Sequence, residues 1–266
     1  MYQFEYHRAT SVEDALAKLK KASDGKLVAG GMTLIPTMKQ RLAQPSDLID
    51  LGGLKDLRGI KVEGGKVVIG AMTRHFDVAN SADVKKAIPA LAVLAGGIGD
   101  PMVRYRGTIG GSIANSDPSA DYPAAVLGLG ATIKTNKREI AADSYFKGLF
   151  ETALEAGEMI TAVSFPVAKR AGYMKFPQPA SRYAMVGVFV ADTGSGIRVG
   201  VTGAGPCAFR AKDIEAALAK SFTPDAAGTV KIASKGLNSD IHGSAEYRAH
   251  LVSVMAKRAV AQALGG

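Results

Sequence analysis

Two stretches of the 266-residue chain combine residue types that could do chemistry through the backbone. "LVAGGMTLIP", Leu27 to Pro36, sets Gly30 beside Gly31 where a short apolar run ends and a helical pattern begins; "RGTIGGSIAN", Arg106 to Asn115, repeats the arrangement with Gly110 and Gly111. A glycine pair after a strand lets consecutive N–H groups converge on one anion, because no Cβ blocks approach and unusual φ values cost little. One such bend could hold a phosphate. Two that converge in the fold could hold a diphosphate, helped by the positive end of the helix that Thr33 begins. Either pair alone reads more readily as a plain turn, so only the combination points to a ligand. Neither stretch is GxGxxG and no GxxxxGKS/T occurs, which removes the main support for Rossmann or P-loop binding.

Other reactive residue types are sparse. The histidines are His7, His75, His242 and His250, none paired at metal-ligand spacing, so no metal site is predicted. His75 is read as a helix-start or interface residue. The one cysteine, Cys207, follows Gly-Pro in a turn and is read as a structural thiol; no GxSxG elbow accompanies it. A single thiol builds neither a disulfide framework nor an iron-sulfur cluster, and a reducing cytosol fits best. The start "MYQFEYHRAT" lacks a basic region followed by an apolar core, and no uncharged apolar run nears membrane length, so a soluble cytoplasmic protein without a membrane span is expected. The net charge of +9 is spread in singles and pairs, with no basic arm, which argues against nucleic-acid binding.

The elements that must position the glycine bends follow from periodicity. Thr10 to Glu13 has capping-box spacing before Val12, Ala15, Leu16 and Leu19, with Gly25 as a stop. "KLVAG" is a strand, and Thr33 caps a helix whose first turn holds Pro36. "DLIDLG" is a second strand, and "GIKVEGGKVVIGAM" a hairpin turning at Gly64-Gly65. Thr73 is predicted to cap a short helix through Val78, Lys85–Ile98 to form another, and Asp121 to cap an apolar helix in "SDPSADYPAAVLGLGA". Past about residue 166 the texture changes. "YAMVGVFVAD" and "GIRVGVTGAG" flank a turn at Thr193–Gly196, then "RAKDIEAALAK", "TPDAAGTVKIASKGL" and a final segment striped by Val252, Met255, Ala259 and Ala263 read as helices. The Pro-bearing stretch "FPVAKRAGYMKFPQPASR" is the natural boundary.

"KLVAGGMTLIPTMKQRL", "RGTIGGSIANSDPSADYPAA" and "YMKFPQPASRYAMVGV", in that order, resemble the FAD-binding medium subunits of the molybdenum hydroxylases, above all the carbon monoxide dehydrogenase branch, which is related to the flavin domain of xanthine dehydrogenase. The C-terminal "DIHGSAEYRAHLVSVMAKRA" is similar to that branch's tail, so the resemblance spans essentially the whole chain. It implies an α+β fold: a two-part FAD-binding domain of the vanillyl-alcohol oxidase type over 1–170, with subdomains of about 1–57 and 58–170, then a C-terminal domain of antiparallel sheet and helices over 171–266.

The same resemblance implies that Leu27, Val28, Ala29, Gly30, Gly31, Met32, Thr33 and Leu34 wrap the FAD pyrophosphate, and that Thr108, Gly110, Gly111 and Ser112 add a second set of backbone and hydroxyl donors. Asp121 would contact FAD hydroxyls, as an acceptor-only carboxylate can, or serve as a helix cap, or both. Ile98 and Ile160 would be apolar walls against the flavin, or simply core. Lys175 would place a cation near the reduced flavin or the phosphates, unless it lies on the surface like most lysines. Ser112, Met32 and Thr33 depart from the residues common in relatives, which puts side-chain contacts in question more than backbone ones.

On this reading the chain is an oxidoreductase subunit with non-covalent FAD and no catalytic acid, base or metal of its own. Molybdopterin and 2Fe-2S clusters would sit on partner subunits, a large molybdopterin subunit and a small 2Fe-2S subunit, in a dimer of heterotrimers. Electrons would pass from the clusters through FAD to an external acceptor. Two rivals are a self-sufficient flavoenzyme on the same fold, which would need its own acid or base near the flavin, and a flavin-free assembly subunit, against which both glycine bends count.

Overall fold

Residues 1–265 are described by a computed structural model. They begin with a three-stranded parallel sheet of β1 (Glu5–Arg8), β2 (Gly25–Val28) and β3 (Asp47–Asp50), in the order β1-β3-β2. The helix Val12–Lys21 links β1 to β2. Its cap is Ser11 rather than Thr10: the Ser11 hydroxyl accepts the Asp14 N–H at 3.1 Å, while the Thr10 N–H and hydroxyl donate to the Asp14 carboxylate. Gly25 opens β2 instead of stopping the helix, which ends at Ala22.

The hairpin β4 (Ile60–Glu63) and β5 (Lys66–Gly70) turns at Gly64 and Gly65 with φ of 55° and 71°, as its sequence predicts. A run of helices follows, and then β6 (Thr132–Thr135), β7 (Glu139–Ala141), a short ribbon of β8 (Phe146–Gly148) with β9 (Glu151–Thr152), and β10 (Ile160–Pro166). β10 inserts between the two hairpins, giving the antiparallel order β4-β5-β10-β6-β7. One face of this sheet, with Val67, Ile69, Ile133, Val163 and Phe165, packs with Leu91, Leu94 and Tyr122 of the helices into the main core.

Four differences from the sequence reading have local causes. The predicted helix Lys85–Ile98 is two helices, Ala82–Ala87 and Pro89–Gly96, because Pro89 disfavours helical geometry at Ile88, which has ψ 74°. Thr73 caps nothing; its hydroxyl bridges the N–H and carbonyl of Gly59, and Arg74 occupies the cap position of His75–Asn80. Two further short helices, Pro101–Arg106 and Ile109–Asn115, are capped by the side chains of Asp100 and Thr108. In "TPDAAGTVKIASKGL" only Pro224–Gly228 is helical, since beyond it Val230 and Ile232 reach the second core from non-helical backbone.

The stretch read as a boundary carries β11 (Arg170–Pro177), which with β12 (Ala184–Asp192), β13 (Ile197–Thr202) and β14 (Phe209–Arg210) forms an antiparallel meander. The helix Ala245–Ala263 buries Val252, Met255 and Ala259 against it, with Ala263 half-buried at the end. Helices and sheets thus combine in the expected α+β class.

Candidate functional site

The two glycine bends meet. A Cβ on Gly30 would sit 2.7 Å from the Arg106 carbonyl carbon and 2.8 Å from Gly107 Cα, so at this position only glycine lets the backbones pack this closely; a Cβ on Gly111 would make an ordinary contact, 3.5 Å from the Ala29 Cβ. Beside this junction opens a cleft of about 520 Å3, walled by the first bend, the helix Ile109–Asn115, the segment 117–121 and the lip Ser181–Tyr183.

All of Leu27 to Leu34 line the cleft. The chain leaves β2 at Val28, turns through Gly31 at φ 72° and enters the helix Leu34–Lys39. Among the described residues no protein acceptor meets the N–H groups of Ala29, Gly30, Gly31, Met32, Thr33 or Leu34. Thr33 itself makes no side-chain cap bond. Six consecutive unpaired amides at the mouth of a helix form a donor surface suited to an anion.

The second bend differs from its sequence reading. Gly110 does not line the cleft: its N–H donates to the Ala71 carbonyl at 2.8 Å, and a Cβ would fall 2.7 Å from that oxygen. The Gly111 N–H is accepted by Thr108 Oγ1 at 3.2 Å and the Ser112 N–H by the Thr108 carbonyl at 3.0 Å. These amides are spent on capping their own helix. What Thr108 and Ser112 present to the cleft is hydroxyl chemistry.

Asp121 lines the cleft yet is only 4% exposed, and it makes no cap hydrogen bond. Its Oδ1 accepts the Tyr173 hydroxyl at 2.5 Å and lies 2.8 Å from Lys175 Nζ. Burial pushes this carboxyl up from its ordinary value, opposed by Lys175 and the Tyr173 hydroxyl. Lys175, whose side chain is 10% exposed, also donates to the carbonyls of Gly97 (2.8 Å) and Arg182 (2.9 Å). Three partners use all three ammonium protons, so Lys175 is neither a surface lysine nor a cation free for a ligand. It ties together the Gly97 turn, the Asp121 segment and the lip, where Arg182 adopts a left-handed φ of 60° that is uncommon for a side-chain residue.

Ile98 lines the cleft; Ile160, 6% exposed, belongs to the main core and does not. His75 lines it beside Gly107. Burial, with Arg104 nearby, pulls its pKa down to about 4, so the ring is neutral at physiological pH, and its Nδ1 has no partner. Sequence reasoning missed Asn115, Asp117 and the lip. Asp117 stands four residues before Asp121 in the same "SDPSAD", a second carboxylate that could have been flagged with the first. The lip lies within "YMKFPQPASRYAMVGV", yet no residue type in it signals a ligand, because its place depends on Lys175 reaching across from β11.

A cleft lined by unpaired backbone donors, by hydroxyls and carboxylates and by an apolar wall at Ile98 has the chemistry to bind an anionic cofactor that also carries hydroxyl and apolar parts. Comparison with known proteins narrows this. Residues 2–168 match the family described as "FAD binding domain in molybdopterin dehydrogenase", and residues 171–263 match "CO dehydrogenase flavoprotein C-terminal domain". The carbon monoxide dehydrogenase medium chain of Hydrogenophaga pseudoflava is 38% identical, over 97% of this chain and 96% of its own. The nicotine 6-hydroxylase medium subunit of Paenarthrobacter nicotinovorans is 37% identical over 97% and 96%. Among solved structures, reconstituted CO dehydrogenase from Oligotropha carboxidovorans superposes with a TM-score of 0.92 at 36% identity, covering 99% of this chain and 98% of that one. The chain belongs to the family of FAD-binding medium subunits of the molybdenum hydroxylases. Among the described residues, no helix is long and apolar enough to cross a membrane, and no group of three or more His, Cys, Asp or Glu side chains is placed to hold a metal.

Proposed function

We propose that this chain is the FAD-carrying electron-transfer subunit of a molybdenum-containing dehydrogenase. The observation that carries the reading is the row of unpaired amides on the cleft-lining residues Ala29 to Leu34, a donor set suited to a diphosphate. The hydroxyls of Thr108 and Ser112 add to this donor set, and Ile98 offers an apolar wall for a flat ring. Gly110 and Ile160 support the site from behind, and Lys175 holds its walls. FAD supplies the redox chemistry, taking up single electrons and delivering them as a pair. This chain's residues bind and orient the cofactor and keep one side of it from solvent.

The family places molybdopterin and 2Fe-2S clusters on partners, a large and a small subunit, and the reading extends to a dimer of such heterotrimers working in the cytoplasm. The test is flavin analysis of protein purified from its host with its accompanying subunits. Stoichiometric FAD, released intact by heat, is the expected result. Colourless protein that takes up no added FAD overturns the reading.

A further inference from the structure

The cleft draws its donors and its acceptors from different segments of the chain. Donors come from Ala29–Leu34, whereas Asp117 and Asp121, on the segment after the helix Ile109–Asn115, bring acceptor-only carboxylates to the same cleft. The two carboxylates are not alike. Asp121 is neutralised by Lys175 and bonded by Tyr173. Asp117 has one protein contact, the Ser119 N–H donating to its Oδ1 at 2.8 Å, and among the described residues no lysine, arginine or histidine pairs with it. A carboxylate partly buried without a cation is costly unless something else satisfies it. The cost shows in the Asp117 carboxyl itself, which burial pushes up, and in Tyr183 across the cleft, raised by its own burial and then by Asp117 and Asp121.

The helix Ile109–Asn115 sets the spacing. Ser112 and Asn115, three residues apart, both face the cleft, and seven residues of helix rise about 10 Å from the Thr108 bend to the turn holding Asp117. A ligand that satisfies both segments must carry an anionic group for the amides and hydroxyl donors for the carboxylate. We propose that Asp117 accepts hydrogen bonds from the ribityl hydroxyls of FAD, acting as a binding residue for the polyol that joins the diphosphate to the isoalloxazine. This rests on the flavoprotein reading above and assigns a specific group within it.

The adenosine ribose also carries a diol, so the test uses two probes. Protein purified with its accompanying subunits is freed of flavin, and binding of FAD is compared with competition by ADP, which keeps the ribose and the diphosphate but lacks the ribityl chain. Asp117→Ala should weaken FAD about tenfold or more, the loss of a hydrogen bond to a charged acceptor, while ADP competes as in wild type. Asp117→Asn keeps an oxygen for the Ser119 N–H but replaces the charged acceptor with a neutral amide, and should lose FAD affinity by less than Asp117→Ala, without loss of fold. FAD binding within twofold of wild type in both variants overturns the proposal, as does an equal weakening of ADP, which would move Asp117 to the adenosine half. If the wild-type protein itself takes up no FAD, the flavoprotein reading fails first.

Discussion

At the scale of single residues, the site depends on a lysine that no ligand needs to touch. Removing one member of a buried ion pair leaves the other charge stranded, typically at a cost of about 3–5 kcal/mol, limited here by how readily the buried Asp121 carboxyl can take a proton. Lys175→Met should therefore lower stability and FAD retention together, and adding Asp121→Asn should recover part of the loss. Thermal or chemical unfolding of the two single variants and the double would give a coupling above about 1 kcal/mol; simple additivity would show that the two residues act separately. His75 makes a second prediction at this scale. Its folded pKa of about 4 lies below the ordinary 6.5, so the buried neutral ring contributes stability in full above pH 6.5 and loses it as pH falls toward 4. The loss amounts to about 3 kcal/mol at most. A His75→Gln variant, which takes no proton, should flatten the stability profile in that window, and an unchanged profile would assign the acid sensitivity elsewhere.

At the scale of elements, the two bends are coupled by direct contact. Gly30→Ala drives a Cβ into the backbone of Arg106 and Gly107, which cannot swing aside as a side-chain tip could. A loss of about 1–3 kcal/mol and of FAD retention is expected, with Gly96→Ala as a control, because the nearest atom there is 3.9 Å away. Retained FAD in Gly30→Ala would mean that the bends can part without harm. The glycine pairs were legible in the sequence because conformational freedom is written in residue type. What each pair does was not: Gly30 and Gly31 leave their amides open, whereas the amides of Gly110 and Gly111 are consumed by Ala71 and Thr108. That difference arises from which neighbours the fold brings up, and periodicity carries no record of it. The split at Pro89 could have been read from the proline, while the non-helical path after Gly228 is a tertiary override by a second core that draws in Val230 and Ile232.

At the scale of the whole molecule, the C-terminal sheet braces the cleft wall as well as forming its own core. Phe189 and Tyr173 join the core of the first half, with Phe189 packed on Gly128. The cleft segment 117–121 hangs from this sheet by its backbone: the Gly203 N–H donates to the Pro118 carbonyl at 2.7 Å, the Ala184 N–H donates to the Ser119 carbonyl at 3.2 Å, and the fully buried Thr202 hydroxyl lies 2.9 and 2.6 Å from the carbonyls of Pro118 and Ala120. Lys175 and Tyr173 of β11 then fix Asp121 in the same segment. A cofactor resting on this segment should therefore sense changes made in the sheet, at residues it never meets. Thr202→Val keeps the shape but strands the Ala120 carbonyl, since the Pro118 carbonyl retains the Gly203 N–H, at a cost of about 1–3 kcal/mol. Part of that cost should appear as faster FAD release, measured by the recovery of free-flavin fluorescence on dilution, while ADP competition, which reports on the amide donor set, stays near wild type. If stability falls but flavin release does not change, the sheet only supports the core, and the segment 117–121 holds its shape without it.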